Sequence, residues 1–351
     1  KPLLDELSGK IAGAITRALA SATEVRIRWV RGECWGLTRN RSLGPYRRNA
    51  VKPPFDRAPY TMPRWLVREE QRAIDPNLRV LQVERLDNQQ LLGALVFIAM
   101  HPSVLAATNQ LFGGDVFGVA TRVAETRLRR SECLTKGACG PPFITMVNTN
   151  EGDMSAAKLG HSRREATALG KALGRAITRF IRSDNGHVHP YDGPVSRGHC
   201  RVFGPEVATA EFVTRAALDH RYVELDVTDD VTTARSTKLH LCDTAQLGIG
   251  VTLGGADHPS SLVPIYRVDV TRTAFSEDCQ SPKKTFNEPP KFGIQKRLPF
   301  ALVRIHNTWI SFVPGEMTIT AGHAVNEAVL RSAREQDAQA DAVVGGLANA
   351  Y

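Results

Sequence analysis

Apolar side chains recur every three or four residues at Leu4, Leu7, Ile11, Ile15 and Leu19, which predicts an amphipathic helix over residues 2–20. From Glu24 to Val30 the period drops to two. Val25, Ile27 and Trp29 fall on one face and Arg26 and Arg28 on the other, the pattern of a half-exposed strand. Residues 38–64 carry many Arg, Pro and Asn with little periodicity and read as a long loop. Leu78–Leu86 and Leu91–Met100 predict two strands joined around Asp87–Gln90, the second apolar enough to be buried on both faces. Phe143–Val147 is a further buried strand. Residues 161–182 form the clearest helix, with Ala166, Leu169, Leu173, Ile177 and Phe180 as its stripe and Gly170 and Gly174 permitting close packing. A weaker helical pattern covers 203–219 and a strand Arg221–Val227. Phe300–Ile305 and Trp309–Val313 predict a hairpin about His306-Asn307-Thr308, followed by a helix over 320–336 and a last buried strand over 342–347. The expected fold class is α/β, with mixed β-sheets flanked by helices and an active site at strand ends.

Chemistry-bearing residues gather where the strands stop. The run Asn148-Thr149-Asn150-Glu151-Gly152-Asp153 breaks the Phe143 strand into a turn, and Ser155 follows before a helical pattern begins. Its hydroxyl either caps that helix or faces a crevice. His101 ends the apolar strand, where an imidazole serves as ligand, base or hydrogen-bonded core residue. Pro314-Gly315-Glu316 is a tight turn that delivers a carboxylate. His187 and His189 would share a face on a strand, yet Pro190 argues for loop and no third ligand is nearby. The glycine-rich Gly248–Gly255 stretch lacks the spacing of a phosphate-binding fingerprint.

Composition narrows the classes. The 351 residues are 42% apolar and 23% charged, ordinary values for a globular chain. The net charge of +9 is scattered arginine with no block of like charge, which argues against a nucleic-acid partner and leaves room for peripheral contact with an anionic membrane surface. The six cysteines permit disulfides without zinc-finger spacing. No run of eighteen apolar residues exists, and the first residues do not read as a signal peptide.

Six of these motifs, in order, resemble the neutral (non-lysosomal) ceramidase family of zinc-dependent amidohydrolases. They are Asn40-Arg41-Ser42, Gly93–Pro102 ending in His101, Asn150-Glu151-Gly152-Asp153-Met154-Ser155, Gly254-Gly255-Ala256-Asp257, Val313-Pro314-Gly315-Glu316-Met317-Thr318 and Gly346–Tyr351. The resemblance implies that His101 and Glu316 bind Zn2+, that Ser155 is essential to hydrolysis and that Arg41 contacts the reacting amide. It places a tyrosine ligand a few residues beyond Asn349, where Tyr351 is the candidate. Asn40, Asn150, Gly152, Asp153 and Asp257 are the neighbouring positions expected to meet substrate, which would be ceramide or another N-acyl lipid.

The chain also departs from the family pattern. Ala156 stands where the family has a proline after the serine. The family's Thr-His-Thr-His-Ser segment, source of another zinc ligand, would precede Lys1. The expectation is therefore a single catalytic domain, 1–351, partial at both ends, without the N-terminal zinc segment and the C-terminal domain. The resemblance implies a secreted, cell-surface or periplasmic location. Two other readings remain open: a catalytically impaired relative that binds lipid or a partner, and a serine hydrolase using Ser155 with His101 and no metal.

Overall fold

The computed structural model describes residues 2–49, 69–106, 109–137, 140–158, 160–182, 199–201, 211–226, 231–232, 238–239 and 297–348. The helices are α1 (Pro2–Ala20), α2 (Leu43–Arg48), α3 (Glu69–Arg72), α4 (Asp115–Lys136), α5 (Arg163–Arg182) and α6 (Ile319–Ala333). The strands are β1 (Val25–Trp35), β2 (Thr38–Asn40), β3 (Asn77–Arg85), β4 (Leu91–Ile98), β5 (Phe143–Asn148), β6 (Met154–Ala156), β7 (His199–Arg201), β8 (Leu218–Asp226), β9 (Val231–Thr232), β10 (Lys238–Leu239), β11 (Arg297–Ile305), β12 (Thr308–Phe312) and β13 (Asp341–Gly345).

Two mixed sheets stack in the order helix, sheet, sheet, helix. The first runs β5-β4-β3-β1-β7 and the second β13-β12-β11-β8. Each has one parallel pair, β4 with β5 and β12 with β13. Strand alternation decides what each face meets. Val30, Leu78, Val80, Ala94, Val96 and Ile98 point to α4 and α5, where they join Val116, Ala120, Leu173, Ile177 and Phe180. Ile27, Trp29, Leu81 and Phe97 point the other way and meet Ile310 and Val343 of the second sheet. The Trp29 and Phe97 rings are 5.6 Å apart, and Trp29 Nε1 donates to Ile305 O across the sheets at 3.2 Å. On the far side, α6 rests Leu330 and Ala333 on Ala340 and Ala342.

The helix pair shows why small residues sit on α5. A Cβ on Gly170 would lie 2.5 Å from Val119 Cβ, and one on Gly174 2.6 Å from Ala120 O. Only glycine allows α4 and α5 to approach so closely.

Several sequence expectations change. The arginine face of β1 is covered, because Arg26 pairs with the buried Glu84 and Arg28 bonds Gln82 and Ile181 O at the end of α5. The long loop holds β2, fixed by pairing with β6, and α2, which buries Tyr46; neither has a periodic pattern in sequence. Residues 211–217 are not helical; Val213 bridges to Ile27 and β8 begins at Leu218. The stripe of α1 (Leu7, Ile11, Ile15, Leu19) is exposed among the described residues, so amphipathic spacing there forms a helix without a core. No helix among the described residues is long and apolar enough to cross a membrane.

Candidate functional site

Four strand ends converge at one edge of the sandwich. β4 runs out through Ala99 and Met100 to His101, β5 into Thr149–Asp153, β12 into Val313–Glu316, and β13 into Gly346. Backbone bonds lock the exits together. Gly346 N–H donates to Asn148 O at 2.9 Å, Val313 N–H to Gly345 O at 3.0 Å, and Leu347 N–H to Gly315 O at 3.1 Å. Gly152 N–H donates to Met317 O at 2.9 Å, and a Cβ on Gly152 would lie 2.5 Å from Glu316 O. Glycine is required where the turn after β5 presses on the turn carrying Glu316.

This crossing brings three predicted residues into contact. His101 Nε2 lies 3.1 Å from Glu316 Oε2, and Arg41 Nη2 lies 3.4 Å from the same imidazole nitrogen and 3.6 Å from the same carboxylate oxygen. The guanidinium is aimed from behind, with Nε and Nη2 donating to Gly152 O at 3.3 and 3.0 Å. His101 Nδ1 faces two backbone carbonyls, Glu151 O at 2.7 Å and Met154 O at 3.0 Å. Carbonyls only accept, so a proton belongs on Nδ1, and Nε2 is the nitrogen left to face Glu316 and Arg41.

Ser155 is placed differently from Arg41, His101 and Glu316. It lies in β6, between Arg39 of β2 and a parallel bridge to His101, and it is fully buried with Oγ donating to Ala156 O at 3.3 Å. It does not cap the following helix. That part falls to Ser162, whose Oγ accepts Glu165 N–H at 3.1 Å. Ser155 therefore lies inside the wall, because pairing on both sides draws β6 into the fold.

Asn40, Asn150 and Asp153 brace the site. Asp153 accepts Ile319 N–H at 2.8 Å on one carboxylate oxygen and Asn40 Nδ2 at 3.1 Å on the other, while its carbonyl accepts Arg41 N–H at 2.8 Å. Burial raises its pKa, an effect partly offset by those donors and by Arg41. Asn150 Nδ2 donates to Asp75 at 2.8 Å, and Asn40 Nδ2 also reaches Ala73 O at 2.9 Å. Asp75 is a bracing residue that the strand-end pattern does not flag; an aspartate in the Asp75-Pro76-Asn77 turn before β3 is its only trace in sequence. Tyr351, Asp257, His187 and His189 lie outside the described residues.

Glu151 also emerges only in three dimensions. It is fully buried, and neither carboxylate oxygen has a hydrogen-bond partner among the described residues. Gly346 lies over it, since a Cβ there would meet both oxygens at 2.8 Å. Burial, then the nearby Glu316 charge, pushes its pKa up to about 8 against the pull of its own backbone amide and of Arg41.

His101 and Glu316 suit a zinc ion as two of its ligands. Bonds of about 2.0–2.1 Å in a tetrahedron separate neighbouring ligand atoms by roughly 3.3–3.4 Å, close to the 3.1 Å seen. The backbone carbonyls on Nδ1 are the outer-shell anchoring that metal-bound imidazoles use. No group of three or more His, Cys, Asp or Glu residues among the described residues is arranged to hold a metal.

Residues 4–171 match the family model described as neutral/alkaline non-lysosomal ceramidase, N-terminal. Over that stretch, just under half of its length, the chain is similar to the neutral ceramidase family. Neutral ceramidase B of Dictyostelium discoideum is 27% identical over 168 residues, which are 48% of this chain and 21% of the relative. A neutral ceramidase of Mycobacterium tuberculosis is 27% identical over 146 residues, 41% of this chain and 20% of that protein. The matches thus span about a fifth of the curated relatives. Among solved structures, the neutral ceramidase from Pseudomonas aeruginosa superposes with a TM-score of 0.64 at 21% identity, covering 96% of this chain and 47% of that one. A ceramidase complexed with C2 gives the same TM-score at 20% identity over 96% of this chain and 48% of its own. These superpositions show that this chain shares its α/β sandwich fold with the solved ceramidases.

Proposed function

We propose that residues 1–351 act as one catalytic domain of a zinc-dependent amidase that hydrolyses the N-acyl bond of ceramide or a related N-acyl lipid. The observation that carries this reading is the contact of His101 Nε2, Glu316 Oε2 and Arg41 Nη2, three groups from separate segments meeting within 3.6 Å. Zinc held there would polarise the amide carbonyl and lower the pKa of a bound water. His101 and Glu316 would hold it, with further ligands from beyond the described residues, Tyr351 among the candidates. Arg41, fixed to Gly152 O, would stabilise the negative charge that develops on the amide oxygen, worth about 3–4 kcal/mol for a well-placed donor. Ser155 is either the nucleophile or a group that orients the amide, and its burial beside Ala156 O favours orientation. Asn40, Asn150, Gly152 and Asp153 hold the wall behind the substrate. Cys34 and Cys133 are both disulfide-bonded, which suits the secreted or cell-surface location expected of the family.

The second reading, a lipid-binding relative without catalysis, draws support from the same arginine. With two protein ligands described, the Arg41 cation already balances Glu316. Zinc analysis of the purified protein, with fatty-acid release from a short-chain N-acylsphingosine, separates the two. Bound zinc and release that a chelator abolishes support the amidase. Zinc-free protein that binds N-acyl lipid without cleaving it supports the relative.

A further inference from the structure

Three residues beyond His101 the chain leaves β4's end in a loop that closes on itself. Asp115, at the start of α4, accepts Val104 N–H at 3.0 Å and Leu105 N–H at 2.7 Å on one carboxylate oxygen. Val104 is buried, so the base of the loop is fixed to the body of the protein. Within the loop, Asn109 N–H donates to Ala106 O at 2.9 Å and Asn109 Nδ2 to Leu111 O at 2.7 Å. The tip then presents two large apolar side chains to solvent, Leu111 at 72% and Phe112 at 109% exposure. Neighbouring surface phenylalanine and leucine on a pinned loop give up their hydration only by entering another apolar medium.

The charge beside the loop indicates which medium. Lys158 Nζ donates to Ser103 O at 2.6 Å, and His161 Nδ1 lies 3.2 Å from Val104 O, so the entry to α5 packs on the loop's base. That entry exposes Arg163 and Arg164 at the positive end of the helix, against the single carboxylate Glu165. Exposed apolar side chains on a loop whose base packs against an arginine-bearing helix entry match the interfacial and headgroup zones of an anionic bilayer.

We infer that the Leu111–Phe112 loop tip, together with Arg163 and Arg164 on the helix entry that packs against the loop's base, docks this protein on an anionic lipid surface. The inference deepens the lipid-amidase reading, since the loop springs from the strand end that carries His101. The test is co-sedimentation with phosphatidylcholine vesicles with and without phosphatidylglycerol. The unaltered chain is expected to prefer the anionic vesicles and to release them as salt rises. Leu111→Ser with Phe112→Ser should lower partitioning by about tenfold or more, and Arg163→Gln with Arg164→Gln should remove the anionic preference alone. Turnover of a soluble short-chain N-acylsphingosine should be unchanged in both variants. Equal vesicle binding by the unaltered and loop-altered proteins overturns the inference, as does failure to bind either vesicle. Self-association that the loop substitutions abolish also overturns it, by assigning the tip to a second copy. Vesicle binding without amide turnover would leave the docking intact and sink the amidase reading.

Discussion

His101 Nε2 and Glu316 Oε2 lie 3.1 Å apart although β4 and β12, whose exits carry them, belong to different sheets. Neither sheet alone can bring them together. If they share a metal, His101→Ala and Glu316→Gln should each weaken zinc binding by more than about 100-fold, above the loss usual for an outer-shell partner. Competition against a chelating fluorophore measures this, with circular dichroism to establish that the variants fold. Zinc affinity unchanged in both variants would remove the pair from the metal site.

Arg41 grips Gly152 O with two nitrogens of one planar fork. Lysine keeps the charge and loses the fork. Arg41→Lys should lower kcat by about 10²–10³, the usual cost of a lost oxyanion donor, with little change in KM. A variant whose KM rises while kcat holds would make Arg41 a binding residue instead.

Glu151 sets a pH dependence. Its folded pKa, about 8, lies above the ordinary value of 4.5. Between those values the folded protein keeps a proton that the unfolded chain has lost. The stability it contributes is complete below about pH 4.5 and falls as pH rises to about 8. Glu151→Gln removes that slope. The variant should gain on the parent by a few kcal/mol, an order-of-magnitude figure, as pH is raised through this window. Tm profiles of the two proteins that stay parallel across the window would refute this.

Asp341 ties the sheets together. Its Oδ2 lies 3.1 Å from both Arg31 Nε and Arg79 Nε. Burial by itself would raise its pKa, but the two arginines outweigh burial and hold it below the usual carboxylate value. Its stabilisation is therefore present above about pH 4 and fades as pH falls through the lowered folded pKa. Asp341→Asn should cost about 3–5 kcal/mol in urea unfolding, because two guanidinium groups lose their counter-charge. A loss under about 1 kcal/mol would mean that the arginines find other partners.

The legible parts of the sequence were those with a single period. The stripe of α5, the apolar run of β4 and the hairpin of β11 and β12 all stand where spacing puts them, to within a few residues. So do the close-packing glycines, Gly170 and Gly174. His101 and Glu316 could be picked out because one ends a strand and the other follows a tight turn, whereas Arg41, inside what reads as a loop, is marked only by the family resemblance. What could not be read is what non-local pairing creates. β2 is three residues held by β6, which lies far along the chain, and no local pattern announces it. Ser155 looked like the start of a helix because its pairing with Arg39 and His101 leaves no mark in sequence. Glu151 and Asp75 take their character from burial and from partners distant in the chain, neither of which a window of residues contains.

The exit of β13 has a consequence for how the protein comes apart. Val313, Gly315 and Asn148 are all held by the backbone of Gly345–Leu347, and Leu347 takes a left-handed φ of 54° to make its bond. A β-branched or bulky residue strained in this way is the kind of joint that opens early. Opening it would let the two sheets part at this edge while the Trp29–Phe97 interior stays packed. The contact of His101 with Glu316 would then be lost well before the fold, so inactivation on mild heating should run ahead of the loss of secondary structure.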